Sequence, residues 1–447
     1  PLSEAEAVRR ALDASSAPDR AEAAVHRAEA GVRAARTALF PELTLRARYT
    51  RLSRIDNDPL VSLEGQADPA TARALVDGVD DPEARLLLGG FVDALAGVSG
   101  TAIEVPRNQY AFSAGLVYPV SAVLASVLPR WRGARRAVAA NEAQREAVLG
   151  DVALRARETY LGLLRARSLF AVARHRRLAA EHQLGRVRAA VRAGAAPRLA
   201  LHQAEALAAS TRVGETRAEA GVQVSAEALA TLLHAEGAVT PVADLDAVPA
   251  APDASLAELV ARARRERPEG RALRAALEAQ GLLVRAAEAD RYPTLALSAN
   301  VDVANPNTLY VPLRDRFDES WDVSVVLAWS PSAIGRGNAA ADRARADADA
   351  ARADLQALEE GIRVEVAQAF HALRAASVAH AQSREGVEAA EAAWEASRVA
   401  WARGAGPFGD VVDADAAFTA ARVRRIDAAI EARLARARLD RALGALP

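Results

Sequence analysis

The 447-residue chain contains no cysteine and no lysine. Without cysteine it cannot form disulfides, thiolate metal sites, a cysteine nucleophile or a lipid anchor on an N-terminal cysteine. The 57 basic residues are therefore all arginine, which we attribute to the nucleotide composition of a GC-rich genome. The formal net charge is −1, so the chain lacks the basic field that typically drives nucleic-acid binding.

Aromatic residues and long apolar runs are also scarce. Aromatics make up 4% of the chain, and alanine supplies much of its apolar content, a composition that favours close-packed helices over a bulky core. The one uncharged stretch near the length of a transmembrane helix, residues 110–129, is interrupted by Gly115 and Pro119. We predict instead a strand ending near Pro119, followed by an irregular turn into a helix. The sequence begins at Pro1 without a signal peptide, and for an exported protein we expect that such a signal has been removed or trimmed.

Patterns for catalysis and metal binding are missing as well. The seven histidines form no His-x3-His pair with a neighbouring carboxylate, and solvated or capping roles account for them. The glycines of GRGNAAADR do not have the spacing of a phosphate-binding loop. We find no supported nucleophile–base pair, so the sequence predicts no enzymatic activity, no cofactor and no metal site.

An internal repeat organises the chain. Residues 33–47, RAARTALFPELTLRA, align with residues 285–299, RAAEADRYPTLALSA, at an offset of 252. Later in the two copies the offset is 210. At this offset two segments align in which apolar residues recur every three or four positions, the spacing of one helical face. These faces are Val152, Ala156, Tyr160 and Leu163 in the first copy and Ile362, Val366, Phe370 and Leu373 in the second. Because the offset falls from 252 to 210 along the chain, the first copy must contain residues that the second copy lacks. We place these extra residues at 55–107.

The repeat divides the chain into residues 1–236, a proline-rich linker at 237–268 and residues 269–447, which we expect to form one interwoven domain. Each copy is predicted to run helix, strand, loop, strand, long helix, turn, long helix. In the insert, Asp-Pro pairs predict short helices capped by Asp68 and Asp81. We expect these helices to form an ordered loop whose leucines and Phe91 pack against neighbouring residues.

Four segments alternate apolar and polar residues, which predicts strands near 42–52, 109–118, 294–303 and 320–329. Strands of this length with tyrosine and tryptophan near their ends are typical of a membrane β-barrel. The alternative is a soluble four-stranded sheet that covers a helical core. Four strands cannot close a barrel, and open edges cannot lie in lipid, so the membrane interpretation requires oligomerisation. A trimer would supply twelve strands.

The barrel interpretation assigns residues to the two faces of the strands. The residues predicted at the lipid interface are Tyr49, Tyr110, Tyr118, Trp321 and Trp329. The residues predicted to face a wet lumen are Arg46, Arg48, Asn300 and Asp302.

These features, in their order along the chain, resemble the TolC-like outer-membrane efflux proteins. The resemblance rests on the duplicated FPELTL and YPTLAL blocks, on the aromatics Tyr160 and Phe370, and on Trp401–Ala414, WARGAGPFGDVVDA. This last segment is similar to the family's aromatic-x-x-Gly-x-x-x-x-x-Asp-Val-x-Asp-Ala stretch. The resemblance covers essentially the whole chain apart from 55–107. It implies a mainly α protein with membrane β-strands, in which a trimeric twelve-stranded barrel in the outer membrane is continued by a periplasmic α-helical tunnel.

The resemblance also implies a function and partners. The protein would be the exit duct of a tripartite efflux or type I secretion system, in contact with outer-membrane lipid. A periplasmic adaptor and an inner-membrane pump of RND or ABC type would deliver its substrates. The competing interpretation is a soluble helical coiled-coil scaffold or adaptor, which the four alternating segments disfavour.

Two groups of site residues follow from the same resemblance. Asp410 and Asp413 match the family's gate aspartates, and their i, i+3 spacing allows one helix face to present both. The alternative is a solvated helix start, where the helix dipole favours aspartate. The helix tips that would contact the adaptor carry Gly194, Pro197, Gly404, Pro407 and Phe408, and Phe408 would be a natural anchor if it is exposed. Ala200 and Gly406 stand where the family can carry an acidic residue and its basic partner, so that inter-helix ion pair is expected to be absent.

Overall fold

The computed structural model describes residues 2–53, 69–98, 106–237, 239–242, 247–250, 252–310 and 313–445. The chain forms two compact units, and each unit draws on both sequence repeats. The first, which we call the helical unit, comprises Pro1–Ala34, Arg130–Val284 and Ala341–Pro447. The second, which we call the sheet unit, comprises Ala35–Pro129 and Arg285–Ala340.

Helices dominate the described residues. In chain order they are α1 (Glu4–Ala14), α2 (Ser16–Thr37), α3 (Pro69–Asp77), α4 (Pro82–Val98), α5 (Val120–Ala122), α6 (Leu128–Arg192), α7 (Arg198–Leu232), α8 (Leu256–Glu266), α9 (Pro268–Ala289), α10 (Pro331–Ala402) and α11 (Phe408–Ala442). The four strands are β1 (Glu42–Arg51), β2 (Asn108–Tyr118), β3 (Thr294–Asn305) and β4 (Asp318–Ala328). Each strand begins and ends within two residues of its predicted bounds.

The predicted helical faces form the cores of the helical unit. Tyr160 and Leu163 are fully buried in a cluster that α1, α7 and α11 also supply. The equivalent residues Phe370 and Leu373 are buried in a second cluster, against α8 and α11. The spacing of three and four residues was therefore sufficient to identify the buried side of both long helices.

The linker between the repeats contains the helix α8. Its start is fixed by a capping box, in which the Ser255 side chain accepts from the Glu258 backbone N–H and the Glu258 carboxylate accepts from the Ser255 N–H. Leu259 and Ala263 then pack in the second core cluster. This part of the proline-rich segment is a packed element of the helical unit.

Tyr160 also connects the start of the chain to the linker. Its hydroxyl lies 3.1 Å from the Leu2 carbonyl oxygen and 2.9 Å from that of Val242. Leu2 in turn donates its backbone N–H to the Thr240 carbonyl at 2.8 Å. Burial raises the pKa of Tyr160 above its usual value. The phenol is therefore neutral and positioned to donate to these two carbonyl oxygens.

Replacing Tyr160 with phenylalanine is expected to destabilise this junction by about 1 kcal/mol, because the hydrogen bonds from the hydroxyl to the Leu2 and Val242 carbonyl oxygens are lost. Hydrogen exchange of the Leu2 and Val242 amides should accelerate by roughly tenfold. Thr159→Val is the matched control, since the exposed Thr159 hydroxyl bonds only the Arg155 carbonyl of its own helix. Unchanged exchange in Tyr160→Phe would mean that the hydroxyl does not hold the two segments together.

A buried ionic network joins α6, α9, α10 and α11. The Glu269 carboxylate accepts from Arg441 at 2.5 Å and from Arg267 at 3.3 Å. Arg267 also pairs with Glu365, and Arg441 donates to Asp151 at 2.8 Å. Burial alone would raise the pKa of Glu269, but the bonds from both arginines outweigh it and lower this pKa to about 2. Glu269 is therefore ionised and central to the network.

The strands of the sheet unit form one antiparallel sheet in the order β1-β2-β3-β4. Residues opposite one another in such a sheet share a face, so the register defines its rows. The polar face carries hydrogen bonds between Ser298 and Ser324 at 2.7 Å and from Asn300 to Asp322. The apolar face is exposed, with Leu45 75% and Trp321 76% accessible. The outer edges of β1 and β4 have no partner strand among the described residues.

The predicted irregular turn after β2 is confirmed. β2 ends at Tyr118, Pro119 precedes the short α5, and a π-helical turn over Val123–Val127 leads into α6. No helix within the described ranges has both the length and the apolarity to cross a bilayer.

The insert at 55–107 contains the two predicted short helices, α3 and α4. The Asp81 carboxylate accepts from the Glu83 backbone N–H at 3.0 Å, as its capping role requires, while Asp68 lies outside the described residues. The expectation that the insert leucines pack against neighbours is wrong for this chain. Leu87 is 76% and Phe91 64% exposed, because α3 and α4 contact each other and cover only the side that holds Val76.

Candidate functional site

The two helix-pair tips of the helical unit have the same local geometry. Gly194 follows α6 with φ +71° and Gly404 follows α10 with φ +73°, the left-handed conformation that glycine adopts without a steric penalty. The next residue in each turn donates its N–H back to the helix at 2.8 Å, Ala195 to Ala190 and Ala405 to Ala400. These bonds satisfy the last free carbonyls of each helix.

Prolines then start the returning helices. Pro197 and Pro407 are the N-cap residues immediately before α7 and α11. Neither needs a backbone N–H there, which explains why proline is tolerated.

An apolar cluster joins the two tips, and we call it the tip cluster. It consists of Leu184 and Val187 of α6, Ala200, Ala204 and Ala208 of α7, and Phe408 and Val411 of α11. Phe408 is not exposed, since only 3% of it is accessible and its ring packs edge-on against Trp401 with centroids 5.4 Å apart. Phe408 therefore connects the two repeats inside one chain and cannot serve as an exposed anchor.

The tip cluster takes the place of the ion pair that is absent between the turns. Ala200 is 3% exposed and contributes to the apolar contact. Gly406 leaves room beside Asp410, whose Oδ2 atom would lie 3.7 Å from a Cβ built on that glycine. In this chain the turns are held together by burial of apolar surface at the position where the family can carry opposite charges.

Asp410 and Asp413 both lie in the first two turns of α11 and are exposed. Within the described ranges neither carboxylate forms an ion pair. The i, i+3 spacing places them on one side of the helix, while Phe408 and Val411 face the tip cluster. The two predicted gate residues are thus accessible and adjacent.

The sequence comparison identifies a family for the second half of the chain. Residues 259–445 match the family described as outer membrane efflux protein, and this segment contains the second tip, Asp410 and Asp413. No curated protein matches the sequence.

Solved structures extend the similarity to almost the whole chain. The outer-membrane channel OprN is 20% identical with a TM-score of 0.76, and the match covers 99% of this chain and 89% of that one. The CmeC outer membrane channel of Campylobacter jejuni is 15% identical with a TM-score of 0.76, over 99% and 85% of the two chains. The outer membrane protein VceC of Vibrio cholerae is 18% identical with a TM-score of 0.74, over 99% and 96%.

The second half of the chain is thus similar to the outer membrane efflux protein family, and the whole chain shares the fold of these channels. The predicted fold class, a mainly helical protein with a small sheet that matches channels made of a β-barrel and a helical tunnel, is confirmed. The family match favours the predicted transport channel over an enzyme and over the soluble scaffold.

The four-stranded sheet exposes most of the predicted interface aromatics. Tyr49 is 55%, Trp321 76% and Trp329 53% exposed, whereas Tyr118 is half-buried. Tyr49 and Tyr110 are neighbours at one end of the sheet, with ring centroids 5.1 Å apart. The predicted lumen residues share the opposite face, where Arg46 and Asp302 lie on one row and Asn300 on the next.

An ion pair above the tip cluster was not found by sequence analysis. Asp415 of α11 is 8% exposed, and its Oδ2 atom accepts from Nε of Arg176 in α6 at 2.8 Å. Beside it Trp394 of α10 stacks on Phe418 of α11, with centroids 5.5 Å apart. The guanidinium of Arg398 lies 4.6 Å from the Trp394 ring centroid. Three helices are therefore tied together by one polar and aromatic cluster in this protein.

Proposed function

We propose that the protein is the outer-membrane exit duct of a tripartite efflux or type I secretion system and that it works as a homotrimer. The amphipathic four-stranded sheet with two unpaired edges carries this proposal. Its exposed apolar face suits lipid, and its open edges require pairing with other copies because unpaired backbone groups are unstable in a bilayer. Three copies would close twelve strands, with Arg46, Arg48, Asn300 and Asp302 lining the lumen and the exposed aromatics at the lipid interface.

The helical unit would form the periplasmic tunnel in this proposal. The turns at Gly194–Pro197 and Gly404–Pro407 would contact a periplasmic adaptor, which connects the duct to an inner-membrane pump of RND or ABC type. The buried position of Phe408 limits the adaptor contact to the exposed residues of these turns. The likeness to OprN and CmeC, both described as outer-membrane channels, supports this arrangement.

The gate of this duct is proposed at Asp410 and Asp413. Three copies would bring six carboxylates together at the tunnel mouth, and such a ring attracts cations. Both side chains are exposed and outside any ion pair of the described ranges, so they are available for this role.

Planar-bilayer recording tests the gate. A trivalent cation added on the periplasmic side should block the parent channel, and the same cation on the other side should not. Replacing both aspartates with asparagine should abolish the block and weaken cation selectivity, because the charges are lost while the shape is kept. Glu385→Gln with Glu388→Gln is the matched control, since this exposed pair has the same spacing on α10.

Two results would count against the proposal in different ways. Block of the asparagine variant as strong as that of the parent would place the gate elsewhere. A monomer in mild detergent that forms no channel would contradict the exit duct itself.

A further inference from the structure

A cavity of about 320 Å³ lies among the helices α6, α7, α10 and α11 of the helical unit, beside the tip cluster. Part of its wall is apolar and comes from Ala180, Leu207 and Val411, all of which are buried. Polar and aromatic side chains line the rest: His182, Gln183 and Arg186 of α6, Trp394 and Arg398 of α10, and Asp415 of α11. A concave and mainly apolar site of this size, with a few polar groups, is typical of a small-molecule binding site.

Two arginines from different sequence repeats, Arg186 and Arg398, bring positive charge to this cavity. Both also line a second cavity that adjoins the first, together with Gln183 and Glu395. Partial burial, followed by the charge of Arg398, lowers the pKa of Arg186 below its usual value, so the two guanidinium groups repel each other. An anion placed between them would remove this repulsion.

The acids near the two cavities do not neutralise these arginines. Among the residues that the structure describes, neither Arg186 nor Arg398 forms an ion pair. Asp415 lines the first cavity, but its carboxylate accepts from Arg176 at 2.8 Å. Glu395 lines the second cavity and, within the described ranges, forms no ion pair with either arginine. The two guanidinium groups therefore have unused charge.

Neutral contacts hold both guanidinium groups in position. Arg186 donates to the side-chain oxygen of Gln183, which is itself buried. The Arg398 guanidinium lies over the ring of Trp394, whose position is fixed by stacking on Phe418. A guanidinium has five N–H donors, and these contacts use few of them. The arginines are thus oriented by their neighbours and keep donors for a ligand.

We propose that this cavity binds a small organic anion, whose carboxylate or sulfonate group accepts hydrogen bonds from Arg186 and Arg398. Its apolar body would contact Leu207 and Val411, which distinguishes it from an inorganic anion. The bound molecule would connect α6 to α10 and touch the tip cluster through Val411. Because a duct does not require a bound ligand, the site goes beyond the proposed function, and every contact on which it rests lies within one copy of the chain.

Titration calorimetry of the full chain in mild detergent, with naphthalenesulfonate as the probe, tests the site. Arg186→Gln with Arg398→Gln should weaken binding by about tenfold or more, because charge-assisted hydrogen bonds to the sulfonate are lost. Arg192→Gln with Arg384→Gln is the matched control, since these exposed arginines lie on the same two helices outside the cavity. The control should bind within about twofold of the parent, because distant surface charges are screened. Equal affinity of the parent and the Arg186 and Arg398 double variant would overturn the inference.

A comparison of ligands on the unmodified chain tests the same site without any substitution. Naphthalenemethanol has the apolar body without the charge, and sulfate has the charge without the apolar body. Each should bind about tenfold or more weakly than naphthalenesulfonate, after subtraction of the heat of titration into protein-free micelles. A neutral analogue that binds as tightly would overturn the role of the arginines, and sulfate that binds as tightly would overturn the organic class of the ligand.

Hydrogen exchange locates the bound probe. Naphthalenesulfonate should slow exchange of amides in 179–187 and 394–402 of the parent and not of the Arg186 and Arg398 double variant. Protection confined to other segments would overturn the inference. Loss of the trimer in the double variant, in a chain whose parent binds no naphthalenesulfonate, would mean that the arginines pair with a neighbouring copy, which overturns the ligand site and leaves the proposed function standing. A chain that binds the probe but forms no channel would contradict the proposed function alone.

Discussion

Replacing Phe408 with alanine is expected to loosen the joint between the two helix-pair tips by about 3 kcal/mol, the usual cost of truncating a buried aromatic side chain. The ring is 3% exposed and is the largest side chain of the tip cluster. Its removal leaves a cavity between α6, α7 and α11 and also removes the edge-on contact with Trp401. Amides of residues 401–415 should then exchange with solvent about a hundredfold faster.

The same variant should conduct more in its resting state, because the turns that carry Asp410 are no longer fixed to the first repeat. Val399→Ala is the control, since this α10 residue near the tip is 47% exposed and its truncation removes little packing. Parent-like exchange in Phe408→Ala would show that the tip cluster does not hold the turns together.

Glu269→Gln is expected to cost about 3 kcal/mol, because it leaves two buried guanidinium groups without their shared carboxylate. The Arg267 and Arg441 side chains are 6% and 11% exposed, so water cannot fully replace the lost charge. The midpoint of chemical unfolding should fall accordingly. Glu266→Gln is the matched control on the neighbouring helix, where the partner Arg262 is half exposed and the loss should stay below about 1 kcal/mol.

Acid should remove the difference between parent and Glu269→Gln. The folded-state pKa of Glu269 is lowered from 4.5 to about 2, so its contribution to stability is fully present above pH 4.5 and is lost as the pH falls towards 2. Unfolding midpoints of the two proteins should therefore converge between these pH values. A difference that stays constant down to pH 2 would mean that the charge of Glu269 is not what stabilises the network.

The features that could be predicted from the sequence are those with a short period. Alternation over ten residues located all four strands, and spacings of three and four found the faces that carry Tyr160 and Phe370. The glycine turns were predicted because only a few residue types accept the left-handed conformation at Gly194 and Gly404. Each of these signals lies within a few residues of the structure that it specifies.

The features that the sequence did not reveal depend on distant partners. Arg176 and Asp415 are 239 residues apart, and neither position differs locally from the many other arginines and acids of the chain. The burial of Phe408 could not be read from its own turn, because the small residues that receive it, Ala200 and Ala204, belong to the other repeat. The exposure of Leu87 and Phe91 in the insert likewise reflects which surfaces the rest of the chain leaves uncovered.

The contact between the two turns is apolar, so its stability depends on temperature more strongly than that of an ion pair at the same position would. Association driven by apolar burial weakens on cooling and is almost indifferent to ionic strength, whereas opposite charges at a surface are screened by salt. A change of temperature would therefore alter the ease with which the turns separate, while a change of salt concentration would leave it nearly unaffected. The strength of the apolar cluster that contains Ala200 and Phe408 therefore depends on temperature and hardly on salt concentration.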